Sequence, residues 1–415
     1  MDNNETVHVL QALNGDEAGP PAVDLAAAMR VGRKRLQHRR AAGAAVGIAA
    51  VAAVIAAVPV TIHLVRATSQ VAVAAGASPK AGTPTTTAPT STGPTSLSCV
   101  EARLPVPHAG QEALVSGADP TGRYLVGRVY NGGHPAQVAI WDNSRLTTFT
   151  IPGSDAVLSD VTSNGVAVGS SDRSGSDSTA WIYTNGKLSP LAGPDGSAPA
   201  AIGDQGTIGG TESNNGIEHP IVWHSATSTA MRLPLPGNAW VGQVKDVDSD
   251  GTIVGTVRPT ETSPSSRGIE WLPDGTLHLL PLPTGLVKGV DGLQIHSIRN
   301  GVIVADAVIS TKSQESFYPV TYNVSTATFT LLSDANLYVD AGNAHGWLVG
   351  QGQYFVPTVY TPATGMIALP TFVKHSKSKI EQADGAGTIS DSGLIIGGQD
   401  TDKNDVIHAV VWTCH

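Results

Sequence analysis

A five-residue pattern recurs from residue 122 almost to the C-terminus and constrains the fold of this chain more than any other feature. It is a glycine turn, three mostly apolar residues, then a second small residue. It appears as Gly165–Gly169, Gly206–Gly210, Gly251–Gly255, Gly301–Ala305, Gly346–Gly350 and Gly393–Gly397, and in a form one residue longer as Gly122–Gly127. The seven turn glycines lie 41–50 residues apart. A period of that size marks a repeat architecture, in which each unit is one supersecondary element that buries its apolar face only against its neighbours. A second pattern follows each turn: a short β-branched segment closing on Trp141, Tyr183, Trp223, Trp271, Tyr322, Tyr360 or Trp412. A third ends in a branched residue and proline, as at Ile151-Pro152, Leu235-Pro236, Leu282-Pro283 and Leu369-Pro370. Another short segment, such as 158–165 or 244–251, precedes each glycine turn.

Each unit therefore offers four short strands joined by Gly, Asn, Asp and Ser turns, and Asn-Gly and Asp-Gly suit tight hairpins because both residues accept positive φ. Four strands in about 45 residues is the size of a β-propeller blade. The small residue closing the first pattern fits an inner strand, where blades crowd around an axis, and the terminal aromatic fits the gap between blades. No helical periodicity competes in this region. The expectation is an all-β, seven-bladed propeller over residues 99–415.

Ring closure is legible as well. The seventh unit stops at Trp412-Thr413-Cys414-His415 without its proline-terminated strand, and the region opens with such a strand, 99–107, that has no unit before it. Placing Leu104-Pro105 beside Trp412 completes the seventh blade. The chain's two cysteines, Cys99 and Cys414, then lie across from one another, and a disulfide between them would staple the two ends.

The rest of the chain is of a different composition. Residues 1–40 are polar and end in a basic cluster, Arg30, Arg33, Lys34, Arg35, Arg39 and Arg40. No Asp, Glu, Lys or Arg occurs from Ala41 to Val65, a stretch long enough to span hydrocarbon as a helix. Residues 66–98 are rich in Thr, Pro, Ser, Gly and Ala, which cannot build a core and read as a solvated stalk. The basic cluster before the apolar stretch predicts a single-pass anchor with residues 1–40 cytoplasmic and everything after 65 outside the cell. Small residues at Ala72–Ala74 and Ala75–Ala77 leave a cleavable signal peptide as the competing reading.

The repeats resemble HAF repeats, a family of extracellular β-propeller-like units named for a His-Ala-Phe triplet. The resemblance rests on Asp246–Gly255, on His408-Ala-Val-Val-Trp412 and on the variant His219-Pro-Ile-Val-Trp223. It covers about residues 100–415, and the triplet is degenerate elsewhere, with Gln137, Thr179, Arg267, Tyr318 and Val356 in place of the histidine. The family implies a fold and an exported location and no particular reaction. The whole layout is similar to actinobacterial single-pass proteins that carry a propeller on a Thr/Pro stalk.

Motifs that would carry chemistry are scarce. Asp246, Asp248 and Asp250 match the first half of a calcium loop, but Val254 and Val257 stand where the loop needs further oxygens, so a polar hairpin is expected and no metal. His219 and His408 occupy the same place in separate units, which suits hydrogen-bonded structural roles. The serine-rich stretch 169–175 lacks the spacing of a nucleophile elbow. The expectation is no cofactor and no catalytic set. Trp240, Trp347, Tyr338, Tyr354 and Phe355 fall outside the terminal-aromatic register. Of these, Trp240, Trp347 and Tyr354 are the candidate binding surface, since exposed aromatics stack on sugars or fill partner pockets. The formal net charge of −9, with 18 Lys and Arg against 29 Asp and Glu in residues 67–415, argues against nucleic acid and other anionic polymers. The leading expectation is thus a non-catalytic, membrane-anchored propeller, monomeric outside the cell, that binds a protein or a cell-wall glycan. The alternatives are a transmembrane sensor whose N-terminal segment meets a cytoplasmic partner, and a carbohydrate-active hydrolase or lyase.

Overall fold

All seven turn glycines, Gly122, Gly165, Gly206, Gly251, Gly301, Gly346 and Gly393, take φ between +73° and +90°, a region that side chains reach only at a cost. Each reverses the chain between the first and second strands of a unit, and in most of them the glycine N–H bonds the carbonyl three residues back, as Gly165 does to Thr162 at 2.9 Å. The computed structural model describes residues 97–415 apart from 132–133, 174–177, 264, 312–314, 333–336 and 375–383. The segments read as cytoplasmic tail (1–40), membrane span (41–65) and most of the stalk (66–96) lie outside these residues. Among the described residues no helix is long and apolar enough to cross a membrane.

The described strands form seven four-stranded antiparallel sheets, the blades of a β-propeller. Six blades are sequential, spanning 113–150, 154–190, 197–232, 241–279, 292–331 and 338–368. The seventh combines three strands from 385–414 with the strand Cys99–Arg103 on its outer edge. Cys99 pairs with Cys414 and Arg103 with Val410, and the two cysteines form the disulfide. Its sequence separation of 315 closes a loop worth on the order of 5–6 kcal/mol in the chain-entropy model. The register differs from the one expected. Glu101, not Leu104, faces Trp412, and Leu104 donates its N–H to the carbonyl of Ala409 at 2.9 Å. The reason is that pairing runs back to the extreme end of the chain, where Ser98 and His415 exchange both backbone hydrogen bonds.

Seven buried apolar clusters hold the ring, one at each blade interface. Val126, Val138 and Ile140 of the first blade pack against Leu158, Val161 and Ala167 of the second, and Ala409 and Val411 of the seventh against Ala113 and Leu125 of the first. The terminal tryptophans and the proline-terminated strands meet across these interfaces. Trp141 Nε1 donates to the Pro105 carbonyl at 2.8 Å, Trp223 to Ala192 at 2.6 Å, Trp271 to Pro234 at 2.7 Å and Trp412 to Pro370 at 2.8 Å. Each of these four indole N–H groups is thus satisfied from the preceding blade, as a buried indole requires. In the third and fourth units the residues that end the outer strand are Leu233-Pro234 and Leu280-Pro281, two positions before the expected pairs. Leu233 and Leu280 make the last backbone bonds to the third strand.

Candidate functional site

The second small residue of each repeat exists because of the strand beside it. The first strands are Ala113–Ala118, Ser154–Val161, Ser197–Ile202, Val241–Val247, Gly292–Arg299, Tyr338–Gly342 and Gly385–Ile389. Every one of them carries a β-bulge at the same point. The bulge brings a first-strand carbonyl over the second strand. A Cβ on Gly127, Gly169, Gly255, Gly350 or Gly398 would sit 1.9–2.2 Å from that oxygen. In the seventh blade the residue so constrained is Gly398 rather than Gly397, because the turn there is one residue longer, as in the first blade.

A bulge inserts one extra residue and re-aims its side chain. The seven extra residues are Ser116, Ser159, Ala200, Lys245, His296, Asp340 and Gly387. All seven line one cavity of about 120 Å³ on the propeller axis. Four of them are small or hydroxylic. The other three, on the consecutive fourth, fifth and sixth blades, are a lysine, a histidine and an aspartate. The space left by the small residues therefore faces a wall of ionisable groups. None of the three was singled out from sequence. The signal was present, since each bulge residue lies nine to eleven positions upstream of the small residue that ends the glycine pattern.

Each ionisable group is held in place. His296 Nε2 donates to Asp306 Oδ2 at 2.8 Å, which fixes the ring and leaves Nδ1 as its second nitrogen. Lys245 Nζ donates to Gln243 Oε1 at 3.0 Å. Gln243 in turn donates to Glu218 Oε1, and Arg258 lies 3.9 Å from the other oxygen of Glu218. Burial lowers the lysine pKa and raises that of Glu218, because charge is disfavoured where water is excluded.

A charged cluster stands at one end of the channel. Arg299 lines both the axial cavity and a smaller one, about 20 Å³, at the hairpin-turn end. Asp160, Asp246, Asp248 and Asp391 surround its guanidinium and raise its pKa. Burial pushes Asp160 and Asp246 above the usual carboxylate range despite that cation. These carboxylates also join blades. Asp160 accepts from Ile202 N and Asp246 from Ile298 N, both at 2.9 Å. Asp248 accepts from Asn300 N and Gly301 N at 2.8 and 2.7 Å. The acids that resemble half a calcium loop are thus engaged by backbone N–H groups. Among the described residues no group of three or more His, Cys, Asp or Glu side chains is arranged to hold a metal ion.

The opposite end is the face where loops cross between blades. Of the three aromatics expected to form a binding surface, Trp347 does not. It is 8% exposed, and its ring packs under Gly393 of the next blade, so its place outside the register reflects filling of the gap between the sixth and seventh blades. Trp240 is half-buried against the interface of the third and fourth blades. Tyr354 belongs to a short 3₁₀ turn, Gln353–Phe355, in which Tyr354 (φ +60°) and Phe355 (φ +58°) are both left-handed. That conformation costs a non-glycine residue roughly 1–2 kcal/mol. It brings the Phe355 ring parallel to Tyr338, with centroids 6.2 Å apart. Tyr338 is 62% exposed, the most open aromatic among the exposed large hydrophobic residues. His408 is hydrogen-bonded to Asp402 at 2.9 Å, whereas His219 is half-buried with its pKa lowered first by burial.

No protein-family model matches this chain, and no curated protein is similar to it in sequence. Among solved structures it is similar to TolB from Acinetobacter baumannii, at 12% identity, a TM-score of 0.38 and 65% coverage of each chain. It is also similar to Pyrococcus horikoshii acylaminoacyl peptidase, at 12% identity and a TM-score of 0.39, covering 60% of this chain and 42% of that one. Porphyromonas gingivalis dipeptidyl peptidase 4 gives 11% identity and a TM-score of 0.36, with 59% and 41% covered. The chain thus spans less than two thirds of the length of each.

Proposed function

We propose that this chain is a non-catalytic binding propeller of the HAF-repeat kind, anchored in the membrane and exposed outside the cell. In this reading its loop-crossing face receives a protein or the end of a cell-wall glycan. The observation that carries it is the asymmetry of the bulge ring. Seven equivalent positions point at one axis, yet ionisable groups occupy only Lys245, His296 and Asp340, on adjacent blades. Packing does not demand this, because Ser, Ala and Gly serve the same position in the other blades. Arg299 and its carboxylates stand at the hairpin-turn end, and in this reading the ligand enters from the loop-crossing face. The disulfide that joins the chain ends suits an oxidising compartment, in keeping with export. The test is co-sedimentation of the purified full chain with isolated Gram-positive cell walls. Saturable pelleting that is lost in the Lys245→Gln, Asp340→Asn double variant is the expected result. Pelleting unchanged in that variant overturns the assignment of the channel mouth.

A second reading, a carbohydrate-active hydrolase or lyase, is favoured by one observation. The His296–Asp306 pair is the arrangement of an oriented general base, with His296 and Lys245 both lining the channel. Release of reducing ends from the same walls, abolished by His296→Gln, would support it in place of the binding reading.

A further inference from the structure

We propose that Tyr338 and Phe355 form a stacking platform for an uncharged pyranose ring at the rim of the channel; this names the ligand class for the binding reading above and rests on it. Four observations converge. Tyr338 begins the first strand of the sixth blade, two residues before Asp340, so strand geometry sets it about 7 Å along the axis from the bulge ring. Its ring is 62% exposed and lies within 6° of parallel to that of Phe355. The backbone adopts two consecutive left-handed residues to bring that second ring into place, and strain of this kind gathers at ligand clamps. Finally, the aromatics are unevenly distributed. Of the chain's 8 Tyr and 5 Phe, Phe317, Tyr318, Tyr338, Tyr354 and Phe355 all lie on the loop-crossing side of the fifth and sixth blades, the sector that also holds His296 and Asp340.

The chemistry of the site selects among occupants. A pyranose presents an apolar C–H face to an aromatic ring and hydroxyls at its edge, and Gln353 and Asp340 offer polar groups beside the platform. A pair of rings is far smaller than the roughly 800 Å² per partner of a stable protein interface. Asp340, two residues along the strand from Tyr338, places an acid near the platform, which disfavours uronic acids and the phosphates of nucleic acid.

The experiment is titration of the purified full chain with three probes: cellotetraose, N-acetylchitotetraose and tetragalacturonate. At least one neutral tetrasaccharide is expected to bind saturably and the acidic one is not. Tyr338→Ala should weaken that binding about tenfold, the equivalent of about 1.4 kcal/mol, while Tyr338→Phe keeps it. Because Tyr338 is mostly exposed, the thermal midpoint of Tyr338→Ala should match that of the parent. If that variant were nevertheless unstable, Phe355→Ala would carry the same prediction. Neutral saccharides bound equally by the parent, Tyr338→Ala and Phe355→Ala would overturn the platform. So would pelleting on cell walls that depends on Lys245 and Asp340 without binding of any neutral probe, in which case the binding reading stands alone. Failure of both walls and saccharides to bind removes the two together.

Discussion

The fourth, fifth and sixth blades differ as a group from the other four in the chemistry of one shared position. Both groups use the same left-handed turn glycine and the same bulge. In both, a buried indole is tied to the blade before it, by Trp141 and Trp412 in one group and by Trp271 in the other. What differs is the bulge side chain: Lys245, His296 and Asp340 against Ser116, Ser159, Ala200 and Gly387. A bulge residue is excluded from the sheet ladder and, Ala200 apart, from the interface cores, so its identity is largely released from the packing that fixes its neighbours. The repeat holds the ring together through its recurring glycine turns, bulges and terminal aromatics and leaves one position per blade open for function.

The sharpest way to break that comparison is to remove the shared framework from each side. Trp141→Ala and Trp271→Ala should each cost about 3–5 kcal/mol, as large aromatic truncations in cores do. Denaturant unfolding of the two variants should give the same loss, and a clear difference would mean that the two sectors are not built alike. The next largest effect lies where the sectors meet. Arg299→Met should cost about 3–5 kcal/mol at pH 7, because it leaves Asp160, Asp246 and Asp248 buried, and Asp391 half-buried, without their cation. The sign with pH follows from protonation. Without the guanidinium the folded state binds protons more tightly than the unfolded one, so stability returns as the pH falls. Unfolding midpoints at pH 7.5 and 5.5 that show an equal loss would remove Arg299 from this role.

The smallest effect belongs to the seventh blade, where the half-buried Glu101 lies against the buried Asp400, away from the axis. Burial, reinforced by a hydrogen bond to Asp400, raises the Glu101 pKa from 4.5 to about 9. The folded state therefore holds this proton more tightly than the unfolded chain. Its contribution is complete below pH 4.5 and is lost as the pH rises towards 9. Glu101→Gln should remove that dependence, so the parent loses thermal stability relative to the variant between pH 5 and pH 9. Parallel curves across that range would show that the carboxyl does not titrate there.

How much of the site was legible follows from the same contrast. The glycine turns, the terminal aromatics and the two unpaired ends are local patterns with a period, and they were sufficient for the blade count and the disulfide. The Leu-Pro register in the third and fourth units was ambiguous, because Leu-Pro-Leu-Pro offers two equivalent endings and only the backbone pairing chooses. Trp347 looked like a surface aromatic because it breaks the register, yet it fills a gap that Gly393 leaves open in the next blade. Lys245, His296 and Asp340 carry no motif, since they are 51 and 44 residues apart in sequence and are neighbours only because the ring closes.

From its sequence alone this chain is a closed ring of seven four-stranded units with its ends stapled, because turn chemistry, strand patterning and the leftover end strands are properties of neighbouring residues. The tertiary structure alone decides what faces the axis. Seven bulges, each trivial within its own blade, converge there, and a side chain's environment at the centre of a ring is set by six other blades rather than by its own.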